Sequence, residues 1–254
     1  MAYATNGDIE IYHETHGETG PGLVFAHGAG GNAAIWWQQI PEFEATHRVV
    51  TFDHRGFGRS KCPADQQNAV HFASDLIAVM DAAELETATI VCQSMGGWTG
   101  ALAAVNHSDR VHSVLLGNTP GAIRNEATLA NEEALFNRVR INGGVTQDVF
   151  GPGFATRHPT EALAYMQISA FNTESAPNIR DDAAYVTPQQ IKDSGVPFWM
   201  VSSSHDPLFP PEVLASVAED IGAPNFRVNG VGHSTYYENP GAFNAILSEF
   251  LRTV

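Results

Sequence analysis

Residues 91–97 read Val91-Cys92-Gln93-Ser94-Met95-Gly96-Gly97 and join two different patterns. An apolar run typical of a buried strand, 88–92, precedes Ser94, and a helical pattern begins at Met95. A serine at such a junction must adopt a sharp, strained turn that holds its hydroxyl clear of the sheet edge. Small residues two positions before and after it allow the strand and helix to pack closely. We interpret Ser94 as a nucleophile, with an ordinary helix N-cap as the alternative.

Short apolar runs alternate with amphipathic segments on both sides of this turn. Seven strands are predicted, at 8–12, 23–26, 48–52, 88–92, 113–116, 196–201 and 226–228. Helices are predicted at 70–83, 95–105, 211–221 and 242–251. Polar and apolar residues alternate in 8–12, which is typical of an edge strand. The alternation predicts an α/β fold with a mostly parallel central sheet flanked by helices.

The segment 120–190 departs from this rhythm. It contains helical patterns at 125–140 and 159–171 but no convincing strand. We therefore expect one core domain built from 1–119 and 191–254, with 120–190 inserted as a helical lid.

A glycine-rich turn, His27-Gly28-Ala29-Gly30-Gly31, follows the predicted strand 23–26. Glycines allow backbone N–H groups to approach a ligand without an intervening Cβ. We expect the N–H groups of Ala29 and Met95 to face an oxygen that becomes negative beside Ser94. Considered alone, the turn is more typical of a plain strand-to-helix loop.

A base and an acid are expected after the last two strands, since a serine hydroxyl needs an imidazole and the imidazole needs an orienting group. His233 follows the final strand in a glycine-containing loop, and Asp206 follows the penultimate one. A rival acid position falls on Asn118, which cannot carry charge. The alternative for Asp206 is a turn-forming residue before Pro207.

Composition excludes several classes of protein. The 254 residues carry 28 acidic and 13 basic side chains, a formal charge of −15, and no clustered basic face for a nucleic acid. The N-terminal residues lack the pattern of a signal peptide, and no apolar run approaches the roughly 20 residues of a membrane helix. Two cysteines cannot form a disulfide framework. We expect a cytoplasmic protein without a membrane partner.

These motifs together resemble the α/β-hydrolase superfamily over almost the whole chain. The matching segments are HGAGGN (27–32), DHRGFGRS (53–60), CQSMGGW (92–98), NHSDRV (106–111), SHDPLFP (204–210) and GHSTYYENPGAFN (232–244). The segment 94–123 looks most like the enol-lactonase and small-carboxylesterase branch.

The resemblance implies a serine hydrolase that cleaves an ester or lactone through an acyl-enzyme on Ser94. It implies a small-molecule substrate and no metal or organic cofactor; the oligomeric state stays open. Six residues are candidates for a small, largely apolar substrate pocket: Trp36, Gln93, Trp98, Phe136, Phe154 and Tyr165. For each aromatic residue, core packing is the alternative role.

Other activities of the same fold remain as alternatives. Hydrolases that cleave C–C bonds of ring-fission products share Ser-Met-Gly-Gly, but they typically have Asn before the nucleophile and an aromatic residue after the base. Gln93 and Ser234 occupy those positions here. A cofactor-free perhydrolase and a ligand-sensing module that hydrolyses slowly or not at all are further alternatives.

Overall fold

The computed structural model describes residues 2–141, 148–172 and 177–254. Within these ranges one sheet of eight strands has the order β1-β2-β4-β3-β5-β6-β7-β8. The strands are β1 (Ala2–Asn6), β2 (Ile9–His16), β3 (Gly22–Ala26), β4 (Arg48–Phe52), β5 (Ala88–Gln93), β6 (Val111–Gly117), β7 (Phe198–Ser203) and β8 (Asn225–Val228). The strands β3 to β8 run parallel and β2 is antiparallel to both neighbours. The predicted α/β class and mostly parallel sheet are confirmed.

Ten α-helices accompany the sheet in the described residues. They are α1 (Ile40–Phe43), α2 (Phe72–Ala82), α3 (Gly96–Asn106), α4 (Glu126–Ile141), α5 (Phe154–Arg157), α6 (Pro159–Ser169), α7 (Pro188–Ser194), α8 (Pro211–Ile221), α9 (Thr235–Glu238) and α10 (Pro240–Thr253). No helix in the described ranges is long and apolar enough to cross a membrane.

Strand order places the site. The strands β3 and β5 are neighbours although β4 lies between them in sequence, so the winding of the sheet changes direction there. Their carboxyl ends are in register, with Ala26 opposite Cys92. Ligands of open α/β sheets bind outside the carboxyl ends of strands at such a switch point. The glycine-rich turn and the turn at Ser94 both begin there.

Two apolar clusters cover the two faces of the sheet. Residues alternate between the faces along each strand, so in β5 Ile90 joins one cluster and Val91 the other. Helices α2, α3 and α8 pack on the first face, and α10 packs on the second. Burial on both faces explains why the central strands are continuous apolar runs.

The prediction of 8–12 as an edge strand was wrong. These residues lie in β2, the second strand, and β1 forms the edge in an antiparallel hairpin with Asn6 opposite Ile9. Gly7 turns the hairpin with a positive φ of 62°. The missed signal was Gly7-Asp8, because a glycine followed by a small polar residue between two short strands is typical of a two-residue hairpin turn.

The segment 120–190 is helical in its described residues, which hold α4, α5, α6 and the start of α7. It attaches to the rest of the chain through a parallel bridge between Asn68 and Asn178. Helix α4 contacts α8, and α7 contacts both α3 and α8, so the segment packs against the core layer near both of its ends. A lid role for this segment stays a prediction.

Candidate active site

Ser94 lies in a strained turn between β5 and α3. Its φ is +49°, a left-handed conformation that residues with a Cβ rarely adopt. Such a conformation costs on the order of 1–3 kcal/mol and persists only where the surroundings enforce it. The Ser94 N–H donates to the Gly117 carbonyl (3.2 Å), and the Ser94 carbonyl accepts from the Gly97 N–H (2.9 Å). Hydrogen bonds on both sides therefore hold the turn.

Small residues around Ser94 permit this geometry. A Cβ on Gly96 would lie 2.1 Å from the Ala26 carbonyl oxygen, so β3 passes directly against the start of α3. Cys92, on β5, packs against Gly100 of α3. A Cβ on Gly100 would lie 2.5 Å from the Cys92 sulfur. Burial raises the pKa of the Cys92 thiol, which keeps it protonated and unreactive.

Replacing Gly96 with alanine is therefore expected to destabilise the protein by about 3 kcal/mol or more, because the added methyl group meets rigid backbone. Urea unfolding followed by circular dichroism measures the change. Gly241→Ala is the matched control, since Gly241 also lies in a helix and its Cβ would meet nothing closer than 3.9 Å. Equal stability of the two variants would show that the turn is not tightly packed.

The glycine-rich turn is braced from behind. The Gly31 N–H donates to the Gly28 carbonyl (2.9 Å), and His27 Nδ1 donates to the same oxygen (2.8 Å). His27 Nε2 accepts from the His54 N–H (3.0 Å), which assigns the ring proton to Nδ1. Burial lowers the pKa of His27 to about 4, so the ring is neutral near pH 7. His27 therefore supports the loop.

Ala29 and Met95 line the same cavity as Ser94. The two predicted oxyanion-hole residues thus lie beside the predicted nucleophile, one on each of two adjacent loops. Their role as donors to an oxyanion remains a prediction.

His233 and Asp206 form a buried pair. His233 Nδ1 lies 2.9 Å from Asp206 Oδ2, and the two residues are 2% and 5% exposed. Asp206 Oδ1 accepts the N–H groups of Leu208 (2.9 Å) and Phe209 (3.0 Å). These two backbone donors fix the orientation of the carboxylate. The pair is therefore arranged to hold one tautomer of the imidazole, with its proton on Nδ1.

The second ring nitrogen, His233 Nε2, is buried and has no hydrogen-bond partner in the described part of the chain. The His233 ring lies 5.8 Å, centre to centre, from the ring of Phe209, which lines the Ser94 cavity. A hydrogen bond from nucleophile to base is often long before substrate binds. The free Nε2 is the atom that a base would use.

Asn118 supports the acid instead of replacing it. Its Nδ2 donates to Asp206 Oδ2 (3.2 Å) and to Ser203 Oγ (2.8 Å). Its φ of +51° turns the chain at the end of β6. The position considered for a rival acid therefore supplies a hydrogen-bond donor to the carboxylate.

Gln93 corrects a prediction. It was expected to line the substrate pocket, but it is 2% exposed and its Nε2 donates to the His233 carbonyl (3.1 Å). The side chain thus ties the end of β5 to the loop that carries His233. Its position next to Ser94 in sequence did not indicate in which direction it points.

Glu238 was missed by the sequence analysis. Its Oε1 accepts the Gly232 N–H (2.7 Å) and its Oε2 accepts the Gly151 N–H (2.8 Å). Burial raises the pKa of Glu238 to about 6, against the opposite effect of these backbone donors. The carboxylate joins the His233 loop to the inserted segment. The signal was a glutamate five residues after the predicted base, in a stretch otherwise typical of a helix start.

The cavity beside Ser94 has a volume of about 530 Å³, within the usual range for small-molecule sites. Its lining is mainly apolar and includes Phe57, Trp98, Leu135, Phe136, Val139, Ile179, Leu208 and Phe209. Trp98 and Phe136, both pocket candidates, are part of this lining, and their contact with a substrate stays a prediction. In the described residues no group of three or more His, Cys, Asp or Glu side chains is arranged to hold a metal ion.

Three pocket candidates lie elsewhere, and their assignment is corrected. Trp36, Phe154 and Tyr165 belong to the apolar cluster on the opposite face of the sheet. Trp36 packs against Phe25 (4.9 Å between ring centres) and Tyr236 (4.6 Å). Aromatic content alone does not reveal which face of the sheet a loop or helix covers, so core packing was the correct alternative for these residues.

The chain belongs to the α/β-hydrolase fold family, whose model matches residues 21–240. The geometry described above agrees with this membership, since the strained turn follows a central parallel strand. The relatives and structural neighbours of the chain include enol-lactonases and esterases.

Two curated relatives match nearly the full chain. A protein of Azorhizobium caulinodans that carries the name carbamate hydrolase RutD is 29% identical over 98% of this chain and 98% of its own. 3-Oxoadipate enol-lactonase 2 of Acinetobacter baylyi is 28% identical over 94% of this chain and 92% of its own.

Solved structures are similar over the same extent. Est816, described as an N-acyl homoserine lactone degrading enzyme, has a TM-score of 0.80 and 25% identity, covering 98% of this chain and 99% of its own. The enol-lactonase of Burkholderia xenovorans LB400 has a TM-score of 0.78 with 22% identity, over 98% and 99% of the two chains. The latter similarity shows the fold alone.

Proposed function

We propose that the chain is a serine hydrolase that cleaves an ester or lactone bond of a small substrate through an acyl-enzyme on Ser94. The observation that carries the proposal is the buried pair of His233 and Asp206, which leaves Nε2 of the imidazole without a hydrogen-bond partner among the described residues. Ser94, Asp206 and His233 follow the carboxyl ends of β5, β7 and β8, respectively. These strands run parallel in one sheet. The same proposal includes the cytoplasmic location expected from the sequence.

In the proposed first step, Nε2 of His233 accepts the Ser94 proton as Oγ bonds to the substrate carbonyl carbon. The carbonyl electrons move onto oxygen, which the N–H groups of Ala29 and Met95 stabilise. As the tetrahedral intermediate collapses, the imidazolium gives its proton to the departing alkoxide. Asp206 stabilises the imidazolium without accepting its proton.

Deacylation repeats these steps with water. His233 removes a proton from water, whose oxygen attacks the acyl carbon, and the proton then passes to Ser94 Oγ as the carboxylic acid leaves. The products are one acid and one alcohol, or one hydroxy acid from a lactone. No redox partner enters this balance.

The apolar cavity favours a small acyl group, and the names of the similar proteins include lactone-cleaving enzymes beside a carbamate hydrolase. Nothing in the cavity specifically favours C–C cleavage. The non-catalytic alternative has no observation in its favour, since every member of the proposed relay is present.

A substrate panel tests the proposal. We expect p-nitrophenyl esters or simple lactones, varied in chain length, to be hydrolysed by the wild-type protein and not by Ser94→Ala. A ring-fission dienoate in the same panel separates the C–C alternative. Rapid loss of the dienoate without ester or lactone turnover would reverse the assignment, and no turnover of any substrate would favour a sensing module.

A further inference from the structure

Arg180 is the one charged side chain among the described residues that line the Ser94 cavity. The remainder of the lining is apolar apart from neutral groups such as Ser169, Asn172 and Asn178. A single cation in an otherwise uncharged cavity distinguishes ligands by their charge, because it attracts an anionic ligand more strongly than a neutral one.

The guanidinium is held in place by an aromatic ring. The Arg180 Cζ lies 4.4 Å from the ring centre of Phe136, which lines the same cavity. Stacking on a ring leaves the N–H edges of the guanidinium available as donors. The backbone N–H of Arg180 donates to Asn178 Oδ1 (3.1 Å), and this hydrogen bond fixes the local turn.

No carboxylate of the described residues lies within ion-pair distance of this guanidinium. Glu132 and Glu133 line an outer groove together with Arg180, but Glu132 pairs with Arg124 (3.6 Å). Within the described residues, seven of the 13 Lys and Arg side chains form ion pairs with carboxylates, and Arg180 is not among them. Arg180 is an exposed residue that lines both the cavity and the outer groove. The carboxylates of Glu132 and Glu133 disfavour an anion in the outer groove. An anionic ligand would therefore approach Arg180 from the cavity.

We propose that Arg180 binds a carboxylate at the end of the substrate remote from the scissile bond, so that the site prefers anionic esters or lactones to neutral ones. The inference rests on the proposed function for the bond that is cleaved. It refines the expectation of a small, largely apolar substrate to one with an apolar body that ends in an acid. Guanidinium and carboxylate form two parallel charge-assisted hydrogen bonds, which supply both affinity and orientation.

Matched esters test this directly. Mono-p-nitrophenyl esters of adipic and suberic acid are compared with the same compounds carrying the remote carboxylate as a methyl ester. Arg180→Ala is expected to raise KM for the acidic esters about tenfold, a change typical of a lost charge-assisted hydrogen bond, with little change in kcat. Turnover of the methyl-blocked esters should stay within about twofold, and Arg180→Lys should restore part of the preference.

Arg140→Ala is the control, because Arg140 is an exposed arginine on α4 that does not line the cavity. This variant is expected to leave both KM values unchanged. An equal loss with acidic and blocked esters in Arg180→Ala, or no loss with either, would overturn the inference.

A binding measurement separates this inference from the proposed function. Monomethyl adipate and dimethyl adipate are titrated calorimetrically into Ser94→Ala, with and without Arg180→Ala. The monoanion should bind about tenfold more weakly when Arg180 is absent, and the diester should not change. If the wild-type protein cleaves no ester but the monoanion still depends on Arg180, the proposed function fails and the anion site stands. If esters are cleaved and the monoanion binds equally well to both proteins, only the anion site fails.

Discussion

His233→Ala is expected to lower kcat by about 10,000-fold or more while the protein stays folded. The imidazole is the group proposed to take the Ser94 proton, and a serine hydroxyl without a base is a poor nucleophile. Binding of the substrate depends on the cavity, which the substitution leaves intact, so KM should change little. Single-turnover hydrolysis of a p-nitrophenyl ester measures the loss.

His205→Ala serves as the control for this substitution. His205 is an exposed neighbour of Asp206 whose ring contacts Ser204 Oγ (2.7 Å), so its removal alters the same loop without touching the buried pair. Activity is expected to stay within a few-fold of wild type. Comparable losses in the two variants would indicate loop damage and not loss of a base.

Asp206→Asn is expected to lower kcat by about 10,000-fold as well. An amide at this position can present its NH₂ group to Nδ1, which would shift the imidazole proton to Nε2 and remove the acceptor for the Ser94 proton. The backbone donors of Leu208 and Phe209 can still be accepted by the amide oxygen, so the loop should keep its shape. Steady-state kinetics with circular dichroism as a folding check measures the effect.

Asp109→Asn is the matched change at an exposed turn position after the end of α3, whereas Ser94 precedes the start of that helix. Its kinetics should equal those of the wild-type protein. Near-normal activity of Asp206→Asn would instead direct the search to another carboxylate, although Asn118 already occupies the rival position as a donor.

The fold was predictable because burial on both faces leaves a clear mark. Central strands such as β5 are continuous apolar runs, and parallel strands need long crossover connections, which most often contain a helix. Ser94 could be found because a strand and a helix meet at it with small residues on either side. Its positive φ agrees with that expectation.

Contacts between distant segments were not predictable in the same way. Gln93 turns toward the His233 carbonyl, and Glu238 joins Gly151 to Gly232, because of how loops from separate strands approach one another. Aromatic residues were the weakest predictors, since Trp36 and Trp98 look alike in sequence but lie on opposite faces of the sheet. A local sequence pattern predicts a helix or a strand, but the residues that its side chains contact depend on the tertiary arrangement.

Covalent labelling tests the central claim most directly. The wild-type protein is incubated with a fluorophosphonate probe and the modified peptide is identified by mass spectrometry. The account predicts one modified serine, Ser94, with labelling that is abolished in Ser94→Ala and strongly slowed in His233→Ala. An unlabelled Ser94 in the folded wild-type protein, or equal labelling rates with and without His233, would contradict it.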